Sequence, residues 1–165
     1  MLNTWLGKLG LGKDKGIEIQ APIEGTVYNI TEVSDPVFKE KIVGDGVAIL
    51  PYRGRVVAPA DGIVSLLFET KHAISLKSVQ GAEILIHIGL DTVKLQGKYF
   101  KAYVTTGDMI RAGDLLLEFD MEEIIAAGYD LITPVVICNT ADYKEIIPHT
   151  GGGGKELDTI LTLRK

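Results

Sequence analysis

Cysteine is almost missing from this chain: Cys138 is the single one in 165 residues, which excludes an internal disulfide. It stands in the apolar run "LITPVVICN", where core packing is expected in preference to thiol catalysis. Its isolation suits a reducing cytoplasm. Positive charge is also in deficit. The formal charge is -5, and no cluster of lysine and arginine interleaved with aromatics occurs, so nothing points to a nucleic-acid partner. No segment approaches the roughly 20 apolar residues of a membrane-spanning helix, and the N-terminus lacks the continuous apolar region of a secretory signal. The expectation is a soluble cytoplasmic protein whose acidic surface favours a basic protein partner.

What is present is enough apolar side chain, 46% of residues, for one domain with a substantial core. That domain is expected over residues 17–165. Residues 1–16 form a separate N-terminal segment in which Leu2, Trp5, Leu6 and Leu9 fall at helical spacing beside Lys8, Lys13 and Lys15. Such a segment could rest weakly on an anionic membrane, although Gly7, Gly10 and Gly12 weaken the helix. The initiating methionine and this amphipathic start suggest a free-standing protein.

From Ile17 onward, short β-branched runs are broken by turn residues at intervals that predict an all-β fold, an antiparallel sandwich or barrel. The runs are "TVYNI", "VAIL", "RVVAP", "IVSLLFE", "AISLKS", "EILIHI", "YFKAYV", "LLLEF", "LITPVVICN" and "DTILTLR". Two short helical turns interrupt them. Pro36 after Ser34-Asp35 suits a helix start that would place Val37, Phe38 and Ile42 on about one face. Asp120 with Glu123 resembles a capping box before "MEEIIAA", which Gly128 can end. The run Gly151–Gly154 reads as a loop between the last two strands.

"APIEGTV" and "APADGIV" repeat a proline-entered, glycine-permitted turn into a strand. With "VTTGDMIRAGDLLLEF" further on, the pattern is similar to biotinyl and lipoyl carrier domains, but their cofactor lysine in its Met-Lys-Met or Asp-Lys-Ala setting is absent.

There are three histidines. His149, beside the glycine run, is expected to be exposed and passive. His87 interrupts the aliphatic strand "GAEILIHIGLD", where alternation puts Ile84, Ile86 and Ile88 on one face and Leu85, His87 and Gly89 on the other. His72, in "ETKHAISL", lies at the turn before the preceding strand. If segments 73–78 and 83–88 pair as a hairpin, the two imidazoles can share one depression. Three readings are then open. One ring could attack phosphorus while the other donates a hydrogen bond to the phosphoryl oxygens. Both could hold zinc, resident or bridging to a partner, with Asp91 or Glu69 as a further ligand. Or the pair could be structural, satisfied by backbone groups, which from these residues alone ranks first.

The wider pattern changes that order. Gly81, Ile84-Leu85-Ile86, His87, Ile88-Gly89-Leu90 and Thr92-Val93 resemble the active-site signature of the glucose-type IIA phosphocarriers of the bacterial phosphoenolpyruvate:sugar phosphotransferase system. "IEIQAPIEGTV", "DPVFKEKIVGDGVAI", "VAPADGIV", "ETKHAISL", "GDLLLEFD" and "LITPVVICN" are similar to the family's other blocks in the same order. The resemblance implies a carrier that takes a phosphoryl group from the histidine phosphocarrier protein HPr and gives it to a cysteine of a sugar-specific IIB domain. It puts the phosphorylated histidine at His87, the second active-site histidine at His72, and the threonine that bonds near the pair at Thr70. It puts acidic docking residues at Asp35 and Asp91. The expected apolar surround, which would exclude water and dock partners, is Val37, Phe38, Ile42, Val43, Phe68, Ile74, Leu85, Ile88 and Val93. With Ile88 at the rim, strict alternation would fail at the end of its strand. No cofactor or metal is demanded by the chemistry, and zinc at His72 and His87 would be adventitious or partner-bridging. A regulatory module that docks transporters or kinases in one phosphorylation state is the rival reading, and a zinc hydrolase the weaker one.

Overall fold

Short β-branched and aliphatic runs make strands here, and the turns between them set which strands meet. The computed structural model describes residues 16–151 and 153–165. The amphipathic segment expected at residues 1–16 therefore lies, Gly16 apart, outside the described residues. The strands are β1 (Ile17–Gln20), β2 (Gly25–Asn29), β3 (Asp45–Pro51), β4 (Arg55–Val57), β5 (Gly62–Leu67), β6 (Ala73–Ser78) and β7 (Glu83–His87). They continue as β8 (Phe100–Ala102), β9 (Met109–Ile110), β10 (Leu115–Phe119), β11 (Thr133–Ile137), β12 (Glu145–Pro148), β13 (Gly153–Gly154) and β14 (Thr159–Arg164). A long antiparallel sheet runs in the order β13-β2-β3-β11-β7-β6-β5-β9, and two small antiparallel sheets run β1-β14-β12 and β4-β10-β8. Among the described residues no helix is long and apolar enough to cross a membrane.

The expected sandwich is present. The ten expected strand segments are all found, while β1, β9, β12 and β13 were not expected. Gly153 and Gly154 are not a plain loop: they pair with Thr26 and Gly25 at the sheet edge. Both helical turns form. Asp35 caps α1 (Pro36–Lys39), accepting from Val37 N–H at 3.0 Å. Asp120 caps α2 (Met121–Ala126), accepting from Glu123 N–H at 3.1 Å.

The repeated "AP-x-acid-G" turns prove to be symmetry mates. They grip each other through Gln20 N–H to Pro59 O at 3.0 Å and Val57 N–H to Pro22 O at 2.8 Å. Each then makes the same bonds to its own neighbour. Ala21 N–H donates to Asp158 O at 2.7 Å as Ala58 N–H does to Asp114 O at 2.8 Å. Leu157 N–H donates to Ala21 O as Gly113 N–H does to Ala58 O, both at 2.9 Å. Leu157 and Gly113 hold the same left-handed conformation, at φ 70° and 94°. The fold is thus two similar halves about a pseudo-two-fold axis, and β13 and β9 are equivalent edge strands.

The main core fills the space between the long sheet and the two small ones, with Ile19, Val47, Ile74, Ile86, Leu117, Val135 and Leu161 buried in it. A second, smaller cluster lies on the opposite face of the long sheet. There Ala48, Ala73, Leu85 and Val136 are covered by Ile30, Val33, Phe38 and Leu90. The period of two is visible along β11, where Val135 and Ile137 enter the main core and Val136 the second. Along β7, Ile84 and Ile86 enter the main core and Leu85 the second, and His87 is the next residue on Leu85's side. Ile88 is fully buried in the main core, so alternation holds where it was expected to fail, and Ile74 is buried there too. Neither belongs to the active-site surround. Cys138 also departs from expectation: it is exposed, one residue past β11 on the outward side.

Close approach of β3 to β11 depends on Gly46, where a Cβ would stand 2.1 Å from Val135 O. At Gly154 the nearest atoms to such a Cβ are at 3.3 and 3.4 Å. Gly46→Ala is expected to cost about 3 kcal/mol in urea denaturation, and Gly154→Ala no more than about 1 kcal/mol.

Candidate active site

A hairpin delivers the first histidine and its partner strand the second. After β5 the chain reverses through Phe68–Lys71, with Lys71 at φ 56° and its N–H donating to Phe68 O at 2.8 Å. This leaves His72 at the mouth of β6. Antiparallel pairing sets Ala73 opposite His87, and Ile88 N–H donates to His72 O at 2.7 Å. The hairpin assumed from the sequence is therefore formed. The two imidazoles meet edge to face, with centroids 4.9 Å apart and planes at 85°.

Each ring has its Nδ1 engaged locally. His72 Nδ1 lies 2.7 Å from Thr70 Oγ1, and His87 Nδ1 lies 2.8 Å from the Gly89 carbonyl oxygen. A carbonyl can only accept, so His87 Nδ1 carries the proton and its Nε2 keeps a lone pair. Among the described residues no buried side-chain nitrogen or oxygen lacks a partner, so the Nε2 atoms face the opening and not the core. The Gly89 carbonyl is the functional group that side-chain reasoning missed. A backbone acceptor leaves no residue-type signal; its trace was the glycine, held at φ 76°.

Two aromatic rings flank the pair: Phe38 lies 5.0 Å from His87 and Phe68 lies 5.6 Å from His72, between centroids. Phe38 and Leu85 are buried supports, and Val43 and Phe68 are half-buried against them. Val37, Ile42 and Val93 are exposed, Ile42 at 70%. The single packing face expected for Val37, Phe38 and Ile42 is therefore split, one residue inward and two outward. Asp35 and Asp91 lie near enough to bias His87 toward its charged form. Burial outweighs them and lowers its pKa, with the Gly89 carbonyl, Asp35 and Asp91 opposing. His72 is pushed down to about 4, first by burial and then by repulsion from His87.

This geometry coincides with clear kinship. The family model described as "phosphoenolpyruvate-dependent sugar phosphotransferase system, EIIA 1" matches residues 17–143. The chain belongs to this EIIA family. A glucose-specific EIIA component of Bacillus cereus is 51% identical over 144 residues, 87% of each chain. A beta-glucoside-specific EIIBCA component of Dickeya chrysanthemi is 52% identical over 132 residues, 80% of this chain and 21% of that protein. The chain thus spans about a fifth of such fused relatives. The solved structure of glucose permease IIA from Mycoplasma capricolum superposes with a TM-score of 0.82 at 36% identity, covering 90% of this chain and 96% of that one.

Among the described residues no group of three or more histidine, cysteine, aspartate or glutamate side chains stands together to hold a metal ion. Neither Glu69 nor Asp91 thus completes a zinc ligand set with His72 and His87. His149 is exposed as expected, yet its Nε2 bonds Thr162 Oγ1 at 2.8 Å.

His72 is neutral in the fold below the ordinary 6.5, so between about 4 and 6.5 the unfolded chain binds the extra proton. Its contribution to stability is complete above pH 6.5, falls as pH drops through this window, and levels off below about 4. Denaturation midpoints at pH 4.5 and 7.5 should differ less in His72→Gln than in the wild type. Identical pH dependence in the two would refute the lowered pKa.

Proposed function

We propose that this chain is a cytoplasmic phosphohistidine carrier of sugar uptake, with His87 as nucleophile and His72 as hydrogen-bond donor to the phosphoryl group. The observation that carries the reading is the perpendicular imidazole pair whose Nδ1 atoms are both occupied, leaving the Nε2 atoms for chemistry. Family membership supports it. The donor is HPr, and the acceptor is a cysteine of a sugar-specific IIB domain.

In the first step the His87 Nε2 lone pair attacks phosphorus, a new N–P bond forms, and the N–P bond to the donor's imidazole breaks, returning that ring's electron pair. His87 keeps its Nδ1 proton and becomes a phosphorylated imidazolium. The Gly89 carbonyl accepts from that proton, and Asp35 and Asp91 offset the ring's new positive charge. Thr70 donates its hydroxyl to His72 Nδ1, so that His72 presents Nε2–H to a phosphoryl oxygen. A ring with a pKa of about 4 stays neutral at working pH and offers a proton without releasing it. In the second step a cysteine thiolate attacks phosphorus, an S–P bond forms, and the N–P electrons return to His87 Nε2. Positioning and charge stabilisation suffice, and no cofactor takes part. The exposed Val37, Ile42 and Val93 serve as the docking rim, with Asp35 and Asp91 meeting basic groups of the partners.

Supplied with phosphoenolpyruvate and the general phosphotransferase proteins, the wild type should acquire an acid-labile phosphate that mass spectrometry maps to His87. His87→Ala should take up none, and undiminished labelling would sink the assignment. His72→Gln should fold and slow transfer to the IIB cysteine by roughly 100-fold, the usual effect of removing one preorganised donor. Wild-type rates in both half-reactions would remove the role given to His72.

A further inference from the structure

Several backbone groups of the turn after His87 are held by hydrogen bonds. Ile88 N–H donates to His72 O at 2.7 Å and Leu90 N–H to Asp130 O at 2.9 Å. Thr92 is completely buried, and its hydroxyl donates to the Ile88 carbonyl. The two peptide planes that flank Gly89 are therefore both anchored, one at the Ile88 carbonyl by Thr92 and the other at the Leu90 N–H by Asp130. Space is closed as well: a Cβ on Gly89 would stand 2.7 Å from the Thr92 methyl carbon and 2.8 Å from Asp130 O. Gly89 at φ 76° would otherwise be the most freely rotating residue of the turn. Its carbonyl, the group that fixes the His87 tautomer, cannot be swung away while these anchors hold.

We infer that Thr92 is a positioning residue for His87, acting through the Ile88 carbonyl to keep the Gly89 carbonyl aimed at His87 Nδ1. The inference rests on the reading of His87 as the nucleophile. Without the Thr92 anchor the Ile88–Gly89 peptide is released, the Gly89 carbonyl is held only through Leu90 N–H to Asp130 O, its hold on His87 Nδ1 weakens, and the ring populates more of the tautomer with its proton on Nε2. That form has no lone pair at Nε2, the atom that would attack phosphorus.

The test compares Thr92→Val, which keeps the shape and loses the hydroxyl, with Thr92→Ser, which keeps the hydroxyl and loses the methyl. Imidazole ¹⁵N shifts at pH 8 should show His87 of the wild type and Thr92→Ser protonated at Nδ1, and Thr92→Val as a mixture of tautomers. His87 phosphorylation should be about 10-fold slower in Thr92→Val and largely restored in Thr92→Ser, the scale of a small misplacement at a reacting group. Should Thr92→Val not fold, Thr92→Cys read against Thr92→Ser isolates the donor, since both lack the methyl. A wild-type tautomer in the variants without the hydroxyl overturns the role of Thr92. The nitrogen spectra need no phosphoryl transfer, so failure of wild-type His87 to be labelled would instead overturn the nucleophile assignment.

Discussion

Two basic rings held 4.9 Å apart and partly buried favour their neutral forms, and the rest of the site follows from that constraint. A charge on either would be poorly solvated, so burial lowers both pKa values, and repulsion from His87 lowers that of His72 further. Neutral imidazoles have two tautomers, so neutrality alone does not specify chemistry. The local acceptor or donor at each Nδ1 does, and it comes from Thr70 and Gly89, each two residues away from its histidine in the chain. Local partners tolerate small shifts of the sheet better than remote ones, because ring and partner move together.

The small second cluster has a matching role. Phe38 packs against the His87 ring and is buried with Leu85, while Val37, Ile42 and Val93 are exposed. In the proposed carrier, desolvation of the free protein would be partial and would become complete only under a docked partner. This sequence of events suits a labile N–P bond, since water is displaced as the acceptor arrives. In that proposal the acidic residues at the rim would bias the surface toward basic partners.

The fold was legible wherever a strand ran long enough to show alternation, as in β3, β5, β6 and β14. It was not legible at β9 and β13, two residues each, whose existence depends on the pseudo-symmetric packing of distant turns. The reasoning from residues correctly set Leu85 and His87 on one face and Ile84, Ile86 and Ile88 on the other. It was the family resemblance that misplaced Ile74 and Ile88 at the rim, since both side chains enter the main core. Cys138 misled for a different reason: its apolar run continues one residue beyond the ladder, onto the outward side. At the site, both histidines and Thr70 could be named from the sequence because it is their side chains that meet there. The Gly89 carbonyl could not, because every residue carries one.

The interlocked turns of the two halves bear on how the molecule comes to be folded at all. Gln20 bonds Pro59, Val57 bonds Pro22, and Ala21 bonds both Leu157 and Asp158, so each half is completed by residues far along the chain. Neither half can satisfy its backbone alone, and the loop-closure entropy of these distant pairings is spent before the core rewards it. The nascent chain must therefore wait for its last strand, β14, before β1 has a partner, and folding is a late, cooperative and comparatively slow event.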